Sequence, residues 1–378
     1  MKKVLVALLA CAVVLVFAVS VFGDGKDVAG VDGYVVVPAY AGKGGVEVSA
    51  SSAVLMEAET CRVLFSIGRD VVLPMASTTK IMTAVIAIEH GDMEAVTTIG
   101  EESVGIEGSS VYLSVGERFT CKELLYALLL ESGNDAAVAL AIAVAGDTES
   151  FVELMNQKAK DLGLCHTSFK NPHGLSAEGH YTTAADLAAI TAHALTLPLF
   201  ETVVSTVSVK LEGEGHATRY LVNHNKLLRS YKGLIGVKTG YTLAAGRCLV
   251  TAARRGGMTL VAVTLNDRND WADHAAMLDY GFSAFRMETV CKEGECAAVP
   301  VKGDKKASVL AESRETVRIC TPTDSEITRL YAIEAVPAPI DEGQRIAKLK
   351  IYENGTLLQE IPLFSREKVP IYKKGFLN

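Results

Sequence analysis

The amino-acid sequence predicts an α+β fold with its helices partly segregated from its strands, followed by a small all-β module. Three observations carry that expectation. Short apolar runs open the globular part, a block of helical patterns follows, and after about residue 200 strand patterns take over, closed by one helix. From about Met287 the chain changes to short alternating runs separated by Gly, Pro, Asn and Asp. A length of 378 residues accommodates two domains, and 49% hydrophobic against 21% charged residues marks a globular chain rather than a disordered one.

The N-terminus reads Met1-Lys2-Lys3 and then runs without a charge from Val4 to Gly23, with small residues Ala18, Ser20 and Gly23 near the end. This is the pattern of a secretory signal, and about 20 uncharged residues also suffice to span a bilayer. Export is therefore expected, with residues 1–23 a signal peptide or a signal anchor. Membrane contact is expected only through residues 4–23. Residues 24–45, ending in Gly42, Gly44 and Gly45, form an extended lead-in. The net charge of −7, without a basic run, excludes a general nucleic-acid binder. None of the eight cysteines has zinc-ligand spacing. Cys291-x4-Cys296 leaves a bridge open in an exported protein, and most of the others read as small buried apolar residues.

The elements follow in order. Ala53–Met56 and Arg62–Phe65 read as a hairpin around Glu57–Cys61. A helix begins near Ser77, carries Ile81, Met82, Ala84, Val85, Ile86 and Ile88 into a core, and ends around His90-Gly91. Asp92 to Arg118 is polar and irregular. Thr120 and Glu123 have capping-box spacing and open a helix through Leu129. Ser132-Gly133-Asn134 breaks it from a second apolar helix, Ala136 to Ala145. Thr148 caps a further helix that ends at Leu162-Gly163. Asn171–Leu175 is a loop by composition, and Thr183 with Asp186 starts the next helix. Gly233–Gly240, Arg247–Ala253 and Met258–Leu265 are strands, the last two joined by a Gly256-Gly257 hairpin signal. Asp273–Tyr280 is the last helix. Ala297–Val301, Thr316–Cys320, Ile346–Tyr352 and Thr356–Ile361 are the strand runs of the β module, which spans about 90 residues.

Chemistry concentrates at Ser77 and Lys80. Residues i and i+3 of a helix share a face, so the hydroxyl and the amine can meet. A serine hydroxyl is a poor nucleophile until a base takes its proton, and an uncharged Lys80 is such a base. At a helix N-terminus, outward N–H groups favour developing negative charge. S-x-x-K also arises by chance, and here it recurs as Ser365-Arg366-Glu367-Lys368, followed by Val369-Pro370. Two further motifs separate the matches. Ser132-Gly133-Asn134 places a hydroxyl and a carboxamide on a turn between apolar helices. Lys238-Thr239-Gly240 ends a strand, where Gly240 lets a substrate backbone approach closely.

With S-x-x-K, S-x-N and K-T-G in this order, the sequence resembles the penicillin-recognising serine enzymes. More closely it resembles the low-molecular-mass penicillin-binding proteins that are D-alanyl-D-alanine carboxypeptidases. The likeness runs over residues 46–285 and includes Gly108-Ser109-Ser110, Leu128–Ala137, Asn171–Leu175, Lys238–Thr242 and Leu278–Phe282. It implies a β-lactamase/transpeptidase-like catalytic domain, an antiparallel sheet flanked by helices plus a helical subdomain, over 46–285. The all-β domain over 286–378 is then the family's second domain.

The resemblance also implies roles. Ser77 attacks the carbonyl of the penultimate D-alanine, Lys80 is its general base, and Ser132 relays the proton to the leaving D-alanine. Asn134 holds the substrate amide, Lys238 and Thr239 face the terminal carboxylate, and the N–H groups of Ser77 and Tyr241 form the oxyanion hole. For this the Lys80 pKa must fall from about 10.4 towards 7–8, driven by burial and by the charge of Lys238. An arginine downstream of K-T-G assists with the carboxylate; Asp270 precedes Trp271 here, and Arg268 is the nearest candidate. His173 lies in a family-like loop near the expected site, where a structural loop role weighs at least as much as a functional one, and Cys61 stands where the family often has Gly. The substrate implied is a peptidoglycan stem pentapeptide at the extracytoplasmic face of a bacterial membrane, periplasmic or secreted, with β-lactams as covalent inhibitors. No metal or cofactor is required. Lys368–Asn378 is too short for the amphipathic anchor common in the family. The competing readings are a class A β-lactamase, for whose water-activating motif Glu153-x-x-Asn156 is a near miss on a solvated helix face, and a non-catalytic penicillin-binding sensor or wall-binding protein.

Overall fold

The structure, a computed structural model, describes residues 46–213, 215–302 and 307–371. The signal and lead-in readings for residues 1–45 lie outside them. The chain divides into two compact units, up to Gly281 and from Phe282 onward.

The first unit begins with β1 (Ser52–Glu57), β2 (Val63–Ile67), α1 (Lys80–His90), β3 (Val96–Thr98) and β4 (Arg118–Thr120). Next come α2 (Cys121–Leu130), α3 (Asn134–Ala145), α4 (Thr148–Asp161), α5 (Ala184–Ala194) and α6 (Pro198–Ser205). It is completed by β5 (Ser208–Gly213), β6 (His216–Val222), β7 (Leu234–Thr242), β8 (Gly246–Arg255), β9 (Met258–Leu265) and α7 (Asp270–Ala284). Five strands form an antiparallel sheet in the order β2-β1-β9-β8-β7, with β7 at its edge. The sheet is buried on both faces. Val54, Met56, Val250, Ala252, Val261 and Val263 enter the helical core, where α5 lies against β1 and β9. Alternate residues turn to α7: a Cβ on Gly281 would stand 2.5 Å from Leu260 Cδ1 and 2.8 Å from Leu55 Cδ2. On that face buried His274 bonds Thr251 Oγ1 at 2.7 Å and Thr264 Oγ1 at 3.0 Å.

The local signals that formed are the self-contained ones. Thr120 and Glu123 close both halves of the capping box, and Thr183 accepts from Asp186 N. Four details differ from expectation. The first helix proper starts at Lys80, because Ala76–Thr79 is a 3-10 turn. The cap before α4 is Asp147, whose Oδ1 accepts from Ser150 N at 2.6 Å, rather than Thr148. Helix α6 and the β5–β6 hairpin were not anticipated: α6 has 8 residues, and β5 buries only Leu211, so neither carries a clear periodicity. Cys61 adopts φ +54°, the left-handed region that favours glycine.

The second unit contains β10 (Phe285–Cys291), β11 (Cys296–Lys302), β12 (Ser308–Glu312) and β13 (Val317–Pro322). It continues with β14 (Ile327–Ala332), β15 (Val336–Pro337), β16 (Arg345–Glu353) and β17 (Thr356–Ser365). A six-stranded sheet, β14-β16-β17-β12-β11-β15, and the β10–β13 pair enclose their own core, including Val299, Val309, Leu349, Ile351, Ile361 and Leu363. Cys291 and Cys296 are both free, so the bridge left open by their spacing is not formed. Among the described residues no single helix is long and apolar enough to cross a membrane.

Candidate active site

Four segments converge on Ser77. The first is its own turn. Ala76 is held at φ +47°, a costly conformation for a residue with a Cβ. In a 3-10 turn i and i+3 eclipse, which brings Lys80 Nζ to 3.0 Å from Ser77 Oγ. The turn is fastened by Thr78 Oγ1, which donates to Met75 O at 2.6 Å, and by Thr79 Oγ1, which donates to Ala76 O at 2.8 Å.

The second segment is the break between α2 and α3. Ser132 is buried at φ +63°, and among the described residues nothing hydrogen-bonds its hydroxyl. Asn134 Nδ2 donates to Glu107 O at 2.5 Å, and Asn134 Oδ1 accepts from Lys80 Nζ at 2.6 Å. Asp135, next in sequence, gathers Ser110 Oγ at 2.6 Å and the N–H groups of Val111 and Leu113, pinning the loop that carries Glu107 over the turn.

The third is the loop from Asn171 to Thr183. His173 contributes its backbone: His173 O accepts from Lys80 Nζ at 2.6 Å, and Pro172 O accepts from Thr83 Oγ1 at 2.5 Å. His180 Nδ1 accepts from Lys170 N at 3.0 Å, so its proton is on Nε2, which donates to Thr79 Oγ1 at 2.8 Å. Burial, the first cause at each, lowers the pKa of both rings to about 4. Both imidazoles are therefore neutral at pH 7. Gly174, at φ +94°, presses on the turn: a Cβ there would lie 2.0 Å from Ala76 O. Gly174→Ala is expected to displace this loop, destabilise the protein by roughly 2–4 kcal/mol and slow penicillin acylation. Thermal melting and labelling rate measure both effects.

The fourth is β7. Gly240 brings the strand against the turn; a Cβ would fall 3.0 Å from Ser77 N and 3.1 Å from Thr78 N. Lys238, 2% exposed, donates to Thr239 O at 2.9 Å. Its pKa falls to about 7 because burial disfavours the charge, against an upward pull from Glu131. Lys80 is fully buried and its pKa lies well below the ordinary lysine value, first through burial and then through Lys238, with Asp135 opposing. Tyr241 is 63% exposed on the lip. Arg268 is exposed on the turn between β9 and α7, and among the described residues it makes no hydrogen bond or ion pair. A groove of about 290 Å³ opens beside Ala76, bounded by Met75, Gly174, Glu178, His180 and Ala244.

The second S-x-x-K has none of this company. Ser365 ends β17 and donates to Glu367 O at 2.7 Å, while Lys368 is 70% exposed beside Asp341. Glu153 is exposed on α4, and Asn156 is committed to Val152 and Phe169 backbone groups. Among the described residues no three His, Cys, Asp or Glu side chains gather to hold a metal ion.

A family model described as D-alanyl-D-alanine carboxypeptidase matches residues 39–269, and one described as the C-terminal domain of penicillin-binding protein 5 matches residues 285–370. The chain belongs to the D-alanyl-D-alanine carboxypeptidase family. The carboxypeptidase is 34% identical to DacF of Bacillus subtilis over 395 residues, spanning 100% of this chain and 97% of that one. It is 31% identical to DacC of Escherichia coli, spanning 85% and 84% of the two chains. The crystal structure of penicillin-binding protein 5 from Haemophilus influenzae superposes with a TM-score of 0.78 at 27% identity, over 87% of this chain and 100% of that one. The carboxypeptidase is thus a serine-type enzyme and a low-molecular-mass penicillin-binding protein, with the α+β fold and trailing β domain of that group.

His173 meets the site through its backbone, its carbonyl accepting from Lys80. The sequence motifs assign no role to Asp135, Glu107 or His180. Asp135 had a signal, since it directly follows S-x-N. Glu107 had none, because a backbone carbonyl acts without regard to residue type, and His180 lies outside all three motifs.

Proposed function

We propose that the protein is an exported D-alanyl-D-alanine carboxypeptidase that removes the terminal D-alanine of peptidoglycan stem peptides through an acyl-enzyme on Ser77, and that β-lactams acylate the same hydroxyl. One observation carries this reading. Lys80 Nζ has three neighbours, and two of them, Asn134 Oδ1 and His173 O, can only accept. Glu107 O, also an acceptor, takes the Asn134 Nδ2 donor and so fixes that amide's orientation. An uncharged amine has two N–H groups and one lone pair. Both N–H groups are claimed, so the lone pair is left for the Ser77 hydroxyl proton. Burial, and then the charge of Lys238, favour that form.

The steps follow. Ser77 Oγ bonds to the carbonyl carbon of the penultimate D-alanine as its proton passes to Lys80. The N–H groups of Ser77 and Tyr241 receive the oxyanion, a reading supported by the close approach of Gly240 to Ser77. Ser132, buried with a free hydroxyl, passes a proton to the departing D-alanine nitrogen. Asn134 has a second Nδ2 hydrogen for the substrate amide, and Lys238 and Thr239 meet the terminal carboxylate. The groove beside Ala76 accommodates the acyl portion, and water then hydrolyses the ester. Export rests on the charged and apolar pattern of residues 1–23.

The deciding experiment compares turnover of an acyl-D-Ala-D-Ala peptide and of a β-lactam by protein beginning near Asp24. Free D-alanine and a long-lived penicilloyl adduct are expected. Fast β-lactam turnover without D-alanine release would favour a β-lactamase instead, and binding without any acylation a sensor.

A further inference from the structure

The substrate's terminal carboxylate calls for a cation on the Thr239 side of β7, and Arg268, the residue expected to supply it, is turned to solvent. The next acidic residue along, Asp270, is 4% exposed and holds a different guanidinium. Arg247 of β8 donates from Nε to Asp270 Oδ2 at 3.0 Å and from Nη2 to Asp270 Oδ1 at 2.5 Å. Asp270 Oδ1 also accepts from Trp271 N at 2.9 Å, which anchors the carboxylate to the first turn of α7.

The register places this guanidinium. Tyr241 pairs with Arg247, Thr239 with Leu249 and Val237 with Thr251. Directly paired residues of an antiparallel ladder project to the same face, and residues two apart share it. Thr239, Tyr241 and Arg247 therefore lie on one face, the α7 face marked by the Thr251–His274 bond. Lys238 and Gly240 lie on the other, towards Ser77. Arg247 is the diagonal neighbour of Thr239, within reach of a long side chain, and β7 is the edge strand along which a peptide can lie. Of the five guanidinium N–H donors, Asp270 takes two. The remaining three belong to a side chain 46% exposed, whereas the carboxylate that aims it is 6% exposed. An ion pair whose acid is buried and whose base is half open positions the base for a second anion.

We infer that Arg247, aimed by Asp270, receives the terminal carboxylate of the substrate together with Thr239, in the place that the sequence suggests for Arg268. Arg247 is then a specificity residue and Asp270 a positioning residue. The inference rests on the carboxypeptidase reading above.

The test uses the full chain and two blocked peptides, one ending in D-Ala-D-Ala and the other in the matching C-terminal carboxamide. Wild type is expected to prefer the acid. Arg247→Gln should lower kcat/KM for the acid by about tenfold to a hundredfold, mainly through KM, and affect the carboxamide far less. Arg247→Lys, which keeps Asp270 paired, should restore part of the acid preference. Asp270→Asn should raise KM for the acid with little change in kcat. An unchanged acid preference in both Arg247 variants, or its loss in Arg268→Gln instead, overturns the inference while D-alanine release by wild type stands. Failure of wild type to release D-alanine from either peptide overturns the carboxypeptidase reading, and this inference with it.

Discussion

Protein carrying Ser77→Ala is expected to release no measurable D-alanine and to take up no penicillin covalently. The loss should be about 10⁴- to 10⁶-fold in kcat, the scale on which removal of an activated nucleophile acts. No neighbour can stand in for it. The hydroxyls of Thr78 and Thr79 are engaged with the carbonyls of Met75 and Ala76, and Ser132 makes no hydrogen bond to Lys80. The fold should survive, because among the described residues Ser77 Oγ has a single hydrogen bond, to Lys80, and caps no helix. The check is mass spectrometry after penicillin treatment, alongside D-alanine release and melting. A penicilloyl adduct that persists in this variant would sink the assignment of Ser77.

Replacing Lys80 with Met should be nearly as damaging, and the pH profile should show why. As the proposed base, Lys80 works only when uncharged, so kcat/KM is expected to rise as pH climbs through its lowered pKa. Lys238 works only when charged, and its pKa is near 7, so kcat/KM falls again above about pH 7. Bound substrate brings a carboxylate beside Lys238 and favours its charged form. The alkaline limb of kcat, which reports the complex, should therefore stand at higher pH than that of kcat/KM, which reports the free enzyme. Parallel steady-state profiles measure the difference. Coincident alkaline limbs would mean that Lys238 does not contact the carboxylate.

Much of the fold was legible because its signals are local. The capping box at Thr120 and Glu123, the Gly-bounded strand through Lys238 and the alternation from Ile346 to Tyr352 each need only neighbouring residues. Elements without such a signal went unread: α6 is too short for a period to show, and the β5–β6 hairpin is mostly solvent-facing. The 3-10 turn at Ala76–Thr79 was also hidden, since its left-handed Ala76 is imposed by the loop at Gly174 and by Gly240 pressing from either side.

The sequence by itself determined the chemistry available. Ser77 with Lys80, Ser132 with Asn134, and Lys238 with Thr239 and Gly240 are residue types that only side chains can supply. Tertiary structure decided which of two S-x-x-K matches holds its lysine buried against its serine. At Ser77, carbonyls from residues 107 and 173, far apart in the chain, orient Asn134 and claim an N–H of Lys80, and burial beside Lys238 lowers the pKa of the amine. At Ser365 the lysine stays in water. It also put Arg247 of β8 on the face of Thr239, held by the buried Asp270, while Arg268 stays exposed on a turn, because strand register and the partner carboxylate, not distance along the chain, set where an arginine points.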